Sequence, residues 1–367
     1  MKSLLKACAV LLAVLGLTVG VAACGSDDDS SSSGSSGSAE STESTDSGEV
    51  SIDLGDKTVE VPAGTKPKIG FLAYGLSAYE LSYAEEIEKM NSEGHDVVWV
   101  EAKYDAATQL KQLQSAITEE TYDAMVIESV DAEGACRIVS QQAPEAGIPV
   151  GIIINPVCGR ALNPWGEEVW APGTLNVVSD TANVTYFTNV LKVQQEELGI
   201  GPETKVGVIN GPDIAAQAQS YGNAIEASGI EPTEMVAGDY TAPTAQKLVA
   251  AMLSRNPDIE VILTGYEGAT PGIISALKAA GKSPGEVKVG DIGGSSEISA
   301  PNIKSGWLAI SAVYDPKKIA RTAVEEMEKA FAGEQGPRFL TADPVGGTLE
   351  KPLQLTKANV GEFEPTY

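Results

Sequence analysis

Histidine occurs once in 367 residues, basic side chains number 25 against 51 acidic ones, and aromatic residues make up only 5%. Each shortage closes off a class of function. The single imidazole, His95, sits in the turn-like stretch Ser92-Glu93-Gly94-His95-Asp96-Val97, where it reads as a solvated turn residue without a partner for acid–base or zinc chemistry. No G-x-G-x-x-G follows the first strand-like run, since Tyr74-Gly75-Leu76-Ser77-Ala78-Tyr79 lacks that spacing, which disfavours a dinucleotide enzyme. No metal-ligand spacing is present, and the paired acids Glu167-Glu168 read as a solvated loop with no role in hydrolysis. A formal charge of −26 repels nucleic acid and anionic lipid headgroups. The expectation is a binding protein with no cofactor, no metal and no reaction centre.

What is present begins with an export signal. Lys2 and Lys6 precede an apolar run that ends in small side chains, which assigns residues 1–23 to a cleaved signal peptide. Val21-Ala22-Ala23-Cys24, followed by Gly25, resembles the bacterial lipobox, in which the cysteine is acylated on sulfur and becomes the new N-terminus. An ordinary signal with an incidental cysteine is the alternative. Residues 25–48 are almost all Ser, Gly, Asp, Glu and Thr, too polar to offset the entropy of ordering, and such a tract has an r.m.s. reach of roughly 25 to 30 Å. Residues 24–65 are therefore read as a lipidated cysteine plus a disordered tether. Within it, residues 50–61 alternate apolar and polar around Gly55-Asp56 and fit either a short hairpin or extended linker.

From Lys66 onward one unit repeats. Short apolar runs at 68–74, 96–101, 124–128, 149–155, 205–210, 260–265 and 287–290 alternate with stretches of helical period, such as Leu110, Leu113 and Ile117, or Ile319, Ala323, Met327 and Ala330. Repeated strand–helix–strand units mean a parallel sheet covered on both sides, the α/β class. Gly147, Gly229 and Gly281 fall where helix C-caps are needed. The repeat falters between Asn155 and Gly173, a long Pro- and Gly-rich connection of the kind that is functional or disordered; its Trp165 and Trp170 argue for order. The run 174–180 then opens a new series. The expected organisation is two Rossmann-like lobes joined by a hinge, the first from 66–179 and 315–338, the second from 180–314 and 339–367. Ligands of open α/β sheets bind off the carboxyl ends of the strands, here in the cleft between lobes.

Of the four cysteines, Cys8 leaves with the signal and Cys24 carries the lipid. Cys136 lies one turn into the helix after the third strand and Cys158 just past the fourth. In an exported, oxidising setting a disulfide between them is expected, with two free thiols as the alternative.

From about Lys66 to Ala332 the chain resembles the type I periplasmic binding proteins that serve ABC transporters, in particular the ribose- and galactose-binding branch. The residues that carry the resemblance are KPKIGFLAYGLSAYE at 66–80, YDAATQLKQLQSAI at 104–117 (close to that branch's D-P-x-x-Q-x-x-Q-I), GIPVGIII at 147–154, and ALKAAGK at 276–282 followed by VKVGDIGG at 287–294. Carried over by position, the resemblance implies ligand contacts from Tyr74, Ser77 and Tyr79 after the first strand, Glu128 and Asp131 after the third, and Asn155 after the fourth. The second lobe would add Asp180, Gln217, Gln219, Tyr266, Glu267, Asp291 and Tyr314. For Asp131 a helix N-cap is the equal alternative, and Asp105 reads as a cap outright.

The departures from that branch bear on the ligand. Ile154-Asn155 stands where sugar binders carry an Asp-Arg pair, Gln217-Ala218-Gln219 where they carry arginines, and Tyr266-Glu267 where they carry Asn-Asp. The ligand is expected to be neutral and rich in hydroxyl or amide donors, or cationic, with Trp165 either stacking on it or packing its loop. The resemblance implies an exported, lipid-anchored, monomeric solute-binding protein that closes over a small polar molecule by hinge motion and delivers it to a membrane permease. A sensor of the same fold without a transport role is the alternative.

Overall fold

The computed structural model describes residues 48–163, 166–179, 184–213, 215–341, 348, 350–365 and 367. The expected signal peptide, Cys24 and residues 25–47 lie outside them, as do Trp165 and Asp180. Among the described residues no helix is long and apolar enough to cross a membrane.

The first sheet grows from runs that are apolar on both faces. Strands β3 (Ile69–Ala73) and β5 (Ala124–Glu128) are buried at every position, which requires cover on both sides. They pair in parallel with each other, β3 with β4 (Val97–Glu101), and β5 with β6 (Val150–Ile153), which pairs in turn with β7 (Val177–Val178). The second sheet repeats the plan with β8 (Val206–Asn210), β9 (Glu234–Ala237), β10 (Val261–Thr264), β11 (Lys288–Gly293) and β12 (Ile310–Val313). Two short strands, β13 (Phe339–Leu340) and β14 (Gln354–Thr356), complete the set. The orders are β13-β7-β6-β5-β3-β4 and β14-β12-β11-β10-β8-β9, so the sheets correspond strand for strand; only β14 runs antiparallel to its neighbour. The chain thus crosses between sheets after β7, after β12 and after β13.

Helices α1 (Ala78–Glu93), α2 (Ala106–Thr118), α3 (Ala132–Arg137) and α4 (Ala143–Glu145) belong to the first lobe. Helices α5 (Val184–Leu198), α6 (Ala216–Ser228), α7 (Ala242–Arg255), α8 (Thr270–Ala279) and α9 (Ser299–Ser305) cover the second, and α10 (Pro316–Phe331) returns to the first. The stripe expected on α10 is real: Ile319, Ala323, Met327 and Ala330 enter the core with Phe71, Tyr83 and Ile87. Helix ends follow the cap rules. Asp105 accepts from the Thr108 amide at 2.6 Å, and α6 stops at Gly229 with φ 78°, a left-handed conformation that favours glycine.

Two boundaries differ from the sequence expectation. The tether does not extend to 65: β1 (Glu49–Asp53) and β2 (Thr58–Pro62) form an antiparallel hairpin that buries Ile52, Leu54, Val59 and Val61 against α10. Arg338 fastens it through the Asp53 carboxylate at 2.8 Å, and the Gly173 amide donates to the Leu54 carbonyl at 2.7 Å. Residues 339–340, expected in the second lobe, pair with β7 in the first sheet, so the third crossing comes one strand later.

The connection 156–173 is held by a Cys136–Cys158 disulfide, Cα–Cα 4.8 Å. Parallel pairing of β5 with β6 brings the two strand ends to one edge. Val157, Ala161, Val169 and Ala171 fill the space beside α3, while the turn Arg160–Leu162 reaches α6 of the second lobe, where the Ser220 hydroxyl donates to the Ala161 carbonyl at 3.4 Å. With a sequence separation of 22, loop closure in the unfolded chain contributes about 3 kcal/mol of stability. Replacing both cysteines by serine is expected to lower the urea midpoint by a corresponding amount, and thiol titration of the denatured, unreduced protein is expected to find neither cysteine. An unchanged midpoint, or two titratable thiols, would contradict the bridge.

Candidate functional site

The carboxyl ends of both sheets face one cavity. Tyr74 and Ser77 follow β3, Tyr104 follows β4, Glu128 ends β5 and Ile154 follows β6; from the second lobe come Gln217 on α6, Tyr240 after β9, and Tyr266, Glu267 and Gly268 after β10. Ile292 on β11, Tyr314 at the second crossing, Tyr79 and Glu80 on α1, and Tyr367 complete the wall. The space is about 560 Å3 counted out to its mouth, within the range of small-ligand sites.

Tyrosine rings form two groups. Tyr74 of the first lobe lies against Tyr240 of the second, centroids 6.4 Å apart and nearly parallel, and Tyr240 meets Tyr266 edge-on at 4.5 Å. At the other end Tyr79 meets Tyr314 at 5.9 Å and Tyr367 at 5.8 Å, both edge-on. Tyr104 and Tyr240 occupy corresponding places after the edge strands of the two sheets, and both hold positive φ, 57° and 64°. Each packs over a glycine that follows the neighbouring strand: a Cβ on Gly75 would collide with the Tyr104 ring, and one on Gly211 with the Tyr240 ring. Ile154 at φ 59° is a β-branched residue in a region such side chains avoid, strain of the kind that gathers at binding sites.

The polar wall consists of acids. Glu80 closes a capping box on Ser77: its carboxylate accepts from the Ser77 amide at 3.0 Å and hydroxyl, and from the Tyr104 hydroxyl at 3.2 Å. Burial still raises its pKa, against those hydrogen bonds. Glu128 is 2% exposed; burial, then the neighbouring Glu80, pushes it well above the usual carboxylate range. In the second lobe Glu267 accepts from the Ser295 amide at 3.3 Å and the Ser299 hydroxyl at 2.9 Å, and burial outweighs both in raising it. A Cβ on Gly293 would strike the Glu267 side chain, so this position keeps room for the carboxylate. Beneath it Asp291, fully buried, accepts from the Thr270 hydroxyl at 2.5 Å and is pushed up to about 7 by burial and by Glu267. No Lys, Arg or His is among the described residues lining the cavity.

Of the positions expected to contact a ligand, Tyr74, Ser77, Tyr79, Glu128, Gln217, Tyr266, Glu267 and Tyr314 line this space. Asn155 stands behind the wall, donating to the Tyr74 hydroxyl and orienting that ring, and Asp291 lies under Glu267. Two expectations fail. Asp131 caps α3 through the Gly134 amide at 2.9 Å and does not reach the cavity. Gln219 is exposed and donates to the Asp213 carbonyl at 2.8 Å on the outer surface, because residues two apart on a helix point to different sides. Glu80, Tyr104, Tyr240 and Tyr367 were not expected. The Ser77-x-x-Glu80 spacing was a readable signal, although for a cap; Tyr367 reaches the site through a single backbone pairing, Ser296 amide to Tyr367 carbonyl at 2.7 Å, which no local pattern announces.

Two parallel-sheet lobes converge with their strand ends on one interlobe space. The family model for the periplasmic binding protein domain matches residues 69–335, and the chain belongs to that family, in its type I, ribose-binding-like branch. The D-ribose/D-allose-binding protein of Pseudomonas aeruginosa is 26% identical over 290 residues, covering 77% of this chain and 83% of that one. Among solved structures, a carbohydrate transporter solute-binding protein from Agrobacterium radiobacter in complex with D-arabinose aligns with TM-score 0.68 at 17% identity, over 82% of this chain and 97% of that one. A solute-binding protein from Mycobacterium smegmatis with bound glycerol aligns with TM-score 0.67 at 22% identity, over 83% and 99%.

An acid whose pKa is raised on folding holds its proton longer in the folded state than in the unfolded one. Between about pH 4, the ordinary aspartate value, and about 7 for Asp291, the folded protein therefore binds more protons, and its stability falls as pH rises through that window. Asp291→Asn is expected to flatten this slope and to raise the ligand-free melting temperature at pH 7 more than at pH 4. Parallel melting curves of wild type and variant across pH 4 to 7 would show Asp291 to be ionised on folding at all these values.

Proposed function

We propose that the protein is the extracytoplasmic solute-binding component of an ABC importer, held at the outer face of the membrane through lipid on Cys24, and that it captures a small polar molecule between its lobes. The observation that carries this reading is the interlobe cavity itself: tyrosine faces for a sugar- or polyol-like body, with buried acceptors and no cation among the described residues that line it. Rings supply apolar contact and a few polar groups fix orientation, the common composition of small-ligand sites. The relatives described above bind ribose or allose, arabinose and glycerol by their names, which supports a hydroxylated ligand. Tyr74, Ser77, Tyr79, Glu128, Gln217, Tyr266, Glu267 and Tyr314 are the proposed contacts, joined by Glu80, Tyr104, Tyr240 and Tyr367.

Closure follows from the three crossings. Ligand contacts from both lobes favour the closed form by their differential affinity for it, and the closed form is the one a permease would meet. The monomeric state and the permease partner belong to the same reading.

A thermal-shift panel tests the site. Neutral polyols, sugars, nucleosides and amines are expected to include a stabilising compound, since a ligand at a hundred times its Kd adds about 2.7 kcal/mol. An anion placed among Glu80, Glu128 and Glu267 lacks a paired cation, at a cost of several kcal/mol. A panel in which carboxylates or phosphorylated compounds alone stabilise would overturn the assignment.

The anchor is tested separately by Cys24→Ala. The variant is expected to leave the detergent-extractable membrane fraction or to accumulate unprocessed; fractionation identical to wild type would remove Cys24 from the reading.

A further inference from the structure

The two carboxylate pairs of the cavity are not equivalent. In the second lobe, Glu267 Oε2 accepts from the Ser295 amide and the Ser299 hydroxyl and Asp291 Oδ2 from the Thr270 hydroxyl, while Glu267 Oε1 and Asp291 Oδ1 have no hydrogen-bond partner among the described residues. In the first, Glu80 is satisfied by Ser77 and Tyr104, but Glu128 receives no side-chain donor, and its Oε2 has no hydrogen-bond partner among the described residues although the residue is 2% exposed. Glu80 raises the cost of ionising Glu128, and no Lys, Arg or His is among the described residues lining the cavity. The rings of Tyr74, Tyr104 and Tyr240 stand around this end. A buried acceptor without a donor, a like-charged neighbour and aromatic faces together lack one thing, a positive charge carrying N–H donors.

Resting on the solute-binding reading above, we propose that the ligand is a small hydroxylated amine, its ammonium group bound at Glu128 against the tyrosine faces and its hydroxyl groups directed toward Glu267 and Gln217. The ammonium group supplies the charge that the first lobe lacks and donates to Glu128 Oε2. The hydroxyl groups meet the second lobe, where Glu267 Oε1 has no hydrogen-bond partner among the described residues and can accept from them. A neutral sugar satisfies the second lobe but leaves Glu128 either ionised without a counter-charge or protonated.

Matched pairs separate these cases. Glucamine with sorbitol, and galactosamine with galactose, differ by one amino group in place of a hydroxyl, and calorimetric titration of the purified protein compares them. The expected result is that the amine of at least one pair binds at least tenfold more tightly than its hydroxyl partner. Glu128→Gln is expected to cost that amine roughly ten- to a hundredfold in affinity, the size of one charge-assisted hydrogen bond, and to remove most of the amine's advantage over its hydroxyl partner. The same variant is expected to raise the ligand-free melting temperature, since it removes a buried charge, which also establishes that it folds. Equal or tighter binding of the hydroxyl partner overturns the amine inference and leaves the polyol-binding reading standing. Binding of neither member of any pair also overturns it. Stabilisation by anions alone overturns the solute-site assignment itself.

Discussion

A carboxylate taken out of water without a cation costs several kcal/mol, and the cavity between the lobes holds Glu80, Glu128 and Glu267 in that condition, with Asp291 beneath. The remaining features of the site follow from this cost. Tyrosine hydroxyls and serine donors gather around the acids, and burial pushes every one of these carboxyls upward.

The correspondence of the two sheets explains how one chain builds such a space. Each lobe presents the carboxyl ends of its parallel strands, so loops with the same place in the topology meet across the cleft. Tyr104 over Gly75 and Tyr240 over Gly211 are the clearest case. Within that shared frame the lobes differ in their acids, Glu128 at the end of β5 and Glu267 three residues beyond β10. The disulfide-held connection 156–173 lies against α6, so a segment of the first lobe also touches the second outside the cavity.

Much of the fold was legible from runs such as Ala124-Met125-Val126-Ile127, which are apolar without alternation and admit a parallel, doubly covered strand. Edge and return elements were not. The β9 stretch Glu234-Met235-Val236-Ala237 alternates exposed and half-buried positions, so Tyr240 went unnoticed with the strand that aims it, and β13 has only two residues. Asp131 and Gln219 show the opposite error, since a side chain near a strand end or helix start reads the same whether it caps, faces solvent or faces a ligand.

The sequence by itself determined the two-lobed α/β class and the acidity of the cleft, because these depend on local periodicity, on composition and on which residues end each strand. Only the tertiary structure decided which acids share one space, that Glu80 and the rings of Tyr104, Tyr240 and Tyr367 join them, and that Glu128 Oε2 is left without a hydrogen-bond partner among the described residues. Those are matters of distance between residues far apart in the chain, set by how the crossings bring two sheets together and by where backbone with positive φ turns each ring.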